Sequence, residues 1–462
     1  MGKHLFVLVH GLWGNYKHMN AIKDVFSDAF QDSSEILFFS PRQNGYFKTF
    51  DGIEIIGYRT LLEICQFIDT FPSGEITDIS FVGYSMGGLI ARFIVGKMLS
   101  ECHELFQNIQ PQLFITFATP HLGVHFLLRE HRAGHHRAIS RILSTLGTTV
   151  LGRTGRQLFI QDSLPNKSIL VKLSEGEYLE GLARFKHRIC VANVKNDRTV
   201  AFYTSFIADK DPFLETDNQI KYEFERNLPG ENLCMVPRII DMAKLDPASS
   251  RAPADGPHLS HWLFIFVICC VLTFVLPLIF VANVLGTCYS YLATVHYQNL
   301  LHQGEGRVIL RRKLGLRDKI ADSLRDTVGV IASDYEDNPG ADNGQTIVRE
   351  DTSWEDFIAK YTSGWQSDPK PKFHKLNFDE QRKQIYSNLN GVSWIRIPLY
   401  VKALNAHDGI VARKGVKAAT PYSISGLQFV AQMVKFLWFR TSRQSTARMV
   451  QIEACHKLHK EK

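Results

Sequence analysis

The eight cysteines include no C-x-x-C pair and follow no disulfide-framework spacing, which excludes a small cysteine-stapled scaffold. Two of them, Cys269 and Cys270, lie in the most apolar stretch, and the set reads as reduced thiols of a protein facing the cytosol. Charge of one sign is also scarce. A net charge of +7 over 462 residues is too diffuse for a nucleic-acid footprint, and no nucleic-acid motif occurs, so that partner class is excluded. Internal repeats and long low-complexity tracts are absent, and the apolar content excludes global disorder. The first apolar run, Leu5–Val9, is short for a signal peptide and leads straight into His10-Gly11-Leu12-Trp13-Gly14; no cleaved leader is expected. Phe6 stands where a myristoylation signal needs Ser or Thr, so that anchor is not expected either.

What the chain does have is Gly83-Tyr84-Ser85-Met86-Gly87-Gly88 between an apolar run and a helix-like run. In a nucleophile elbow the serine sits on a sharp strand-to-helix turn, so its oxygen stands clear of the sheet. Side chains at Gly83 and Gly87 would then collide with the neighbouring helix and strand. The start of the following helix points partial positive charge at the serine. Around the motif the first 200 residues alternate in the βαβ manner. Strands are expected at 4–9, 35–39, 78–83, 112–118 and 187–194, with helices at 17–30, 54–69 and 86–99. The predicted fold class is α/β, a mostly parallel sheet with helices on both faces.

A serine hydroxyl needs a base, and the base needs an orienting acid. In the α/β-hydrolase arrangement they arrive in the order Ser, Asp or Glu, His, each in a loop after a strand. Asp197 follows the strand 187–194, and His407 follows a further strand expected at 394–401. Asp408 adjoins the histidine and ranks second as the acid, because a sequence neighbour seldom aims its carboxylate at the required ring nitrogen. The oxyanion hole needs two backbone N–H groups: Met86, after the nucleophile, and Leu12, in the glycine-bearing loop after the first strand. His10 is expected to brace that loop. His125, His131, His135 and His136 have no carboxylate or cysteine at ligand spacing and are interleaved with Arg129, Arg132 and Arg137. A basic flap is therefore preferred to a zinc site. No metal or organic cofactor is expected.

The segments His10–Asn15, Gly83–Gly88, Ala118-Thr119-Pro120-His121-Leu122-Gly123, Asn196-Asp197 and His407-Asp408-Gly409 together resemble the fungal branch of the putative serine esterase family. That branch includes lipid-droplet phospholipases of yeasts. The resemblance covers the first 200 residues well and the last 70 moderately. It implies an α/β-hydrolase fold, acyl-ester hydrolysis on glycerophospholipids, and a triad of Ser85, Asp197 and His407. Tyr84 departs from the Gly-His-Ser of many lipases.

Between acid and base lies an apolar, uncharged run from Trp262 to Leu285. As a helix its 24 residues would measure about 36 Å, against a hydrocarbon core of about 30 Å. A single span would leave His407 on the far side of the bilayer from Ser85 and Asp197. The expectation is instead a segment that enters and returns on one face, bent at Pro277, as on a lipid-droplet monolayer. The basic run Arg307, Arg311, Arg312, Lys313, Arg317 and Lys319 would meet anionic headgroups. The expected organisation is a hydrolase core at 1–205, a polar insertion at 206–257, a membrane-associated segment at 258–300 and a helical and loop insertion at 301–390. Within the latter, 334–372 read as acidic and turn-rich; residues 391–462 complete the core with the base and a closing amphipathic helix at 423–438. The partner is a membrane or droplet surface, and the location a lipid droplet or endoplasmic reticulum membrane with the catalytic part facing the cytosol. Two alternatives stay open: an acyltransferase using the same acyl-enzyme, and a non-catalytic membrane tether.

Overall fold

The structure, a computed structural model, describes residues 2–31, 33–124, 151–162, 167–197, 199–213, 220–231, 233–247, 353–363, 375–403 and 405–460. It also describes positions 148, 277, 281, 285 and 373, and over 441–460 the backbone alone.

Strand β1 (Lys3–Val9) shows how the sequence builds the centre. Its side chains alternate with the period of two that an extended chain imposes: Leu5, Val7 and Val9 bury on one face and Phe6 and Leu8 on the other. The remaining main strands, β2 (Ile36–Phe39), β3 (Ile76–Tyr84), β4 (Gln110–Phe117) and β5 (His187–Asn193), lie within two residues of their expected limits. Two short strands, β6 (Ile220–Lys221) and β7 (Asp246–Pro247), pair with each other, and β8 (Ile395–Leu399) closes the main sheet. The main sheet runs in the order β2-β1-β3-β4-β5-β8, parallel throughout.

Helices α1 (Asn20–Ala29), α2 (Ile53–Ile68) and α3 (Met86–Ser100) follow the first three strands. They are joined by α4 (Gly176–Ala183), α5 (Phe202–Phe206), α6 (Trp354–Ser363), α7 (Glu380–Asn390) and α8 (Pro421–Lys460). α2, α3, α4 and α7 cover the Leu5–Val7–Phe81 face, whereas α1, α6 and α8 cover the Phe6–Leu8–Ile397 face. A parallel sheet must be covered on both faces, because each carries apolar side chains. This is the α/β-hydrolase arrangement, with the elbow between β3 and α3.

Three expectations change in detail. Residues 16–19 form a 3-10 turn capped by Asn15 before α1 begins, so the helix expected from 17 starts at Asn20. Residues 353–363 fall in a stretch expected to be turn-rich, yet form α6. There Phe357 and Tyr361, one helical turn apart, bury in the second core, with Glu355 and Asp356 in the first turn. α8, expected over 423–438, runs on to Lys460. Part of the 206–257 insertion lies against the sheet edge: Tyr400 N–H donates to Arg238 O at 2.8 Å and Ile240 N–H to Pro398 O at 3.0 Å.

The run 262–285 lies outside the described residues except Pro277, Val281 and Leu285, which are helical. Among the described residues no helix is long and apolar enough to cross a membrane. The basic run 307–319 and the histidines of 125–136 also lie outside the described residues.

Candidate active site

Ser85 is the joint between β3 and α3, held at φ 55°, ψ −130°. A non-glycine residue there is strained, and the surroundings enforce it. Ser85 N–H donates to Phe117 O at 2.8 Å. A Cβ on Gly87 would run into the Val9 carbonyl, and one on Gly83 would lie 2.5 Å from Gly88 Cα. The collisions expected with strand and helix are those found. On the other side Gly11 comes so close that a Cβ would stand 2.6 Å from Ser85 Cβ. The loop after β1 can therefore lie against the serine only because residue 11 has no side chain.

The three residues named from the sequence come together although more than 300 positions separate the first from the last. His407 Nε2 lies 2.9 Å from Ser85 Oγ, and His407 Nδ1 lies 2.9 Å from Asp197 Oδ2. The histidine and aspartate side chains are 7% and 3% exposed, so their attraction is little screened by water. Burial pushes the Asp197 carboxyl up, but hydrogen bonds from His407, Val200 N–H and Asn193 outweigh it and hold it below its usual range. Its Oδ1 accepts from Thr199 N–H at 3.0 Å and Val200 N–H at 2.8 Å. An ionised Asp197 fixes the proton of His407 on Nδ1, leaving Nε2 to accept from the serine.

Asp408 faces elsewhere. Its carboxylate accepts from Arg413 Nη1 at 2.9 Å, Asn405 Nδ2 at 3.0 Å and the Tyr84 hydroxyl at 3.3 Å. Tyr84, the departure from Gly-His-Ser, has its ring centroid 5.1 Å from that of His407 and donates its hydroxyl to the His407 carbonyl at 3.0 Å. Burial, reinforced by Asp408, pushes this phenol well above its usual range, so it remains a donor.

His10 braces its loop as expected, with Nδ1 3.0 Å from Gly11 O. Burial pushes its imidazole down to about 4, against the pull of that hydrogen bond and with Arg413 adding to it, so the ring is neutral at neutral pH. Leu12 follows Gly11 and Met86 follows Ser85. Neither backbone N–H has an acceptor among the described residues. The Ala118–Gly123 motif serves as a support: Leu122 N–H donates to Thr204 Oγ1 at 2.9 Å, and His121 Nε2 lies 3.0 Å from Thr116 Oγ1. Among the described residues no group of His, Cys, Asp or Glu could hold a metal.

Sequence reasoning missed Asn193, Arg413 and the contacts of Tyr84. Asn193 Nδ2 donates to both Asp197 Oδ2, at 3.0 Å, and Ala406 O, at 2.9 Å, and so joins the acid loop to the base loop. Arg413 donates to His18 Nδ1 and to Trp13 O, each at 3.0 Å, as well as to Asp408. It thereby ties the base loop to the loop after β1. No motif marks either residue; only the closeness of Asn193 to Asp197 in sequence hints at a role.

Residues 1–209 match the family described as Putative serine esterase (DUF676). Putative lipase C4A8.10 of Schizosaccharomyces pombe is 32% identical over 213 residues, 44% of this chain and 26% of the relative. Putative lipase ROG1 of Saccharomyces cerevisiae is 30% identical over 224 residues, 47% and 31% respectively. The chain thus spans about a quarter to a third of the length of these relatives. Among solved structures, the Bacillus licheniformis lipase BlEst2 is 16% identical over 42% of this chain and 67% of its own, with a TM-score of 0.25.

Proposed function

We propose, from the match of residues 1–209 to the family described as Putative serine esterase, that this chain is an interfacial serine hydrolase cleaving acyl esters of glycerophospholipids through Ser85, His407 and Asp197. The observation that carries the reading is the unbroken hydrogen-bond path from Ser85 Oγ through His407 to Asp197, two contacts of 2.9 Å each. The names of the yeast relatives support a lipid ester as substrate.

His407 Nε2 takes the hydroxyl proton as Ser85 Oγ attacks the acyl carbonyl carbon. The carbonyl oxygen becomes an oxyanion, received by the N–H groups of Leu12 and Met86. As the intermediate collapses, the bond to the glycerol oxygen breaks and His407 returns its proton to that oxygen. Water then attacks the acyl-serine, His407 accepting its proton and passing it back to Ser85, and the fatty acid leaves. The ionised Asp197 stabilises the imidazolium in both halves. No cofactor takes part in this scheme.

A meeting of Ser85, Asp197 and His407 in one pocket requires the segments before 262 and after 285 to lie on one side of any membrane. This supports a one-sided association of the run 262–285 with a lipid droplet or the cytosolic face of the endoplasmic reticulum. Phospholipid hydrolysis by purified Ser85→Ala chain tests the reading. A loss of about ten-thousandfold or more in kcat is expected, with loss of labelling by a fluorophosphonate; unchanged hydrolysis would refute it. Counting free fatty acid against acylated alcohol separates hydrolysis from acyl transfer.

A further inference from the structure

Three segments are tied together, the first of them beside Ser85: residues 11–19, 41–50 and 411–419. Gly11 touches the serine, Tyr46 N–H donates to Gly14 O at 2.9 Å, Trp13 N–H donates to Thr49 Oγ1 at 2.9 Å, and Arg413 donates to Trp13 O. On this joined surface Trp13 is 42% exposed, Phe47 71% and Val416 38%. They are three of the seven large hydrophobic side chains that stand exposed among the described residues, a concentration at the site rather than a scatter. The Trp13 ring meets Phe47 edge to face, centroids 4.7 Å apart, and stacks on Phe50 at 5.4 Å. Both Trp13 and Tyr46 are held at positive φ, 51° and 53°, a conformation that bulky residues keep only when their surroundings impose it.

The charge around this aromatic tip has a single sign. Lys17, Arg42, Lys414 and Lys417 are exposed, Lys48 and Arg413 half-buried, and the three segments contain no Asp or Glu. The carboxylates bordering these segments are engaged within the fold: Asp51 pairs with Arg59 at 2.6 Å, Asp408 with Arg413 at 2.9 Å, and Glu63 accepts from Arg42 N–H at 2.7 Å and Gln43 N–H at 2.9 Å. A second copy docking here through the same surface would bring like charges together. Aromatic rings ringed by lysine and arginine match the headgroup zone of an anionic lipid layer, which takes the rings at its interface and the cations at its surface.

We propose that Trp13 and Phe47, flanked by Lys17, Arg42, Lys414 and Lys417, form the surface that seats this chain on an anionic phospholipid layer with Ser85 turned toward the lipid. The proposal deepens the hydrolase reading and rests on it for its purpose. Its test reads binding alone.

The experiment is flotation of the full chain carrying Ser85→Ala, which leaves the lipid intact, with vesicles of phosphatidylcholine and of phosphatidylcholine with one-third phosphatidylserine. Two further variants are compared in that background, Phe47→Ser and the pair Lys414→Glu and Lys417→Glu, after urea midpoints equal to the parent's have shown intact folds. The parent should prefer the anionic vesicles. The charge reversal should cost roughly tenfold or more of that binding, and high salt should mimic it. Phe47→Ser should weaken binding to both compositions. Variants that float as the parent does, or a parent that shows no preference for phosphatidylserine, would overturn the proposal. A preference that survives both variants assigns lipid binding to another part of the chain and overturns it equally. Failure of the hydrolase reading appears separately, as undiminished ester cleavage by Ser85→Ala.

Discussion

Asp197 and Asp408 are both one hydrogen bond from the base loop, and their roles differ because of direction. Asp197 receives the ring Nδ1, whereas Asp408 receives Arg413, Asn405 and Tyr84. Asp197→Asn should therefore lower kcat on a soluble ester by about ten-thousandfold, and Asp408→Asn by no more than about tenfold. Steady-state kinetics on both variants checks the assignment, and a reversed order would exchange the two roles. Arg413 holds Trp13 and His18 on one side and Asp408 on the other, and so positions the oxyanion loop against the base loop. Displacing such a clamp costs catalysis more than binding. Arg413→Ala should reduce kcat roughly ten- to a hundredfold with KM little changed. Lysine should restore only part of it, since an ammonium cannot make three diverging bonds at fixed angles. A change confined to KM would remove this role.

At the scale of elements, the elbow works because β1, β3 and α3 approach at backbone distance. Gly87→Ala drives a methyl group against the Val9 carbonyl, and backbone cannot swing aside as a side chain can. A loss of about 1–3 kcal/mol or more is expected from such overpacking, read as a lower urea midpoint. Activity should fall too, because relief of the clash moves Ser85. Helix α6 makes the opposite case, an element that sequence pattern alone did not reveal. Acidic residues and turn formers surround it in sequence, and Phe357 and Tyr361 tie it to the core, Phe357 against Phe429 of α8, with Trp354 packed on Phe429 and Phe436 beside them. Phe357→Ala should cost about 3–5 kcal/mol; a loss below 1 kcal/mol would mean that α6 does not stabilise the sheet edge.

For the molecule as a whole, buried imidazoles link stability to pH. His4 is 2% exposed, bonds Ser80 Oγ at 2.8 Å and stacks on Phe6 with centroids 4.5 Å apart. Burial, with Lys186 adding to it, pushes its pKa from 6.5 down to about 3. The unfolded chain therefore binds a proton that the folded chain refuses. The stabilisation is complete above pH 6.5 and is lost as pH falls from there toward 3, by about 1.4 kcal/mol per pH unit. Comparing unfolding free energies of wild type and His4→Phe between pH 7 and 4.5 isolates this ring from every other titration. The gap between the two proteins should shrink steadily on acidification; a constant gap would mean that the folded ring takes up its proton over the same pH range as the unfolded one. Topology is testable at the same scale: protease protection on membranes should report residues before 262 and after 285 on one side.

Strand limits, the elbow, and the order of Ser85, Asp197 and His407 were legible in sequence, because they depend on local rules. A period of two marks a strand, glycines mark a close turn, and each reacting group follows a strand. The sequence also determined that Asp197 and His407 were candidates, but not that they meet. That was decided by β8 joining the sheet beside β5, which brings residues 210 positions apart within 2.9 Å. The same closure gave Asn193, Tyr84 and Arg413 their distant partners, Ala406 O, His407 O and Trp13 O, which leave no trace in local pattern. Tertiary structure likewise turned Trp13 and Phe47 from unremarkable apolar residues into neighbours on one exposed surface, tied by Arg413 to the segment after the base. Propensity and periodicity act over a few residues, whereas a site is a matter of distances between strand ends, and those exist only once the sheet has closed.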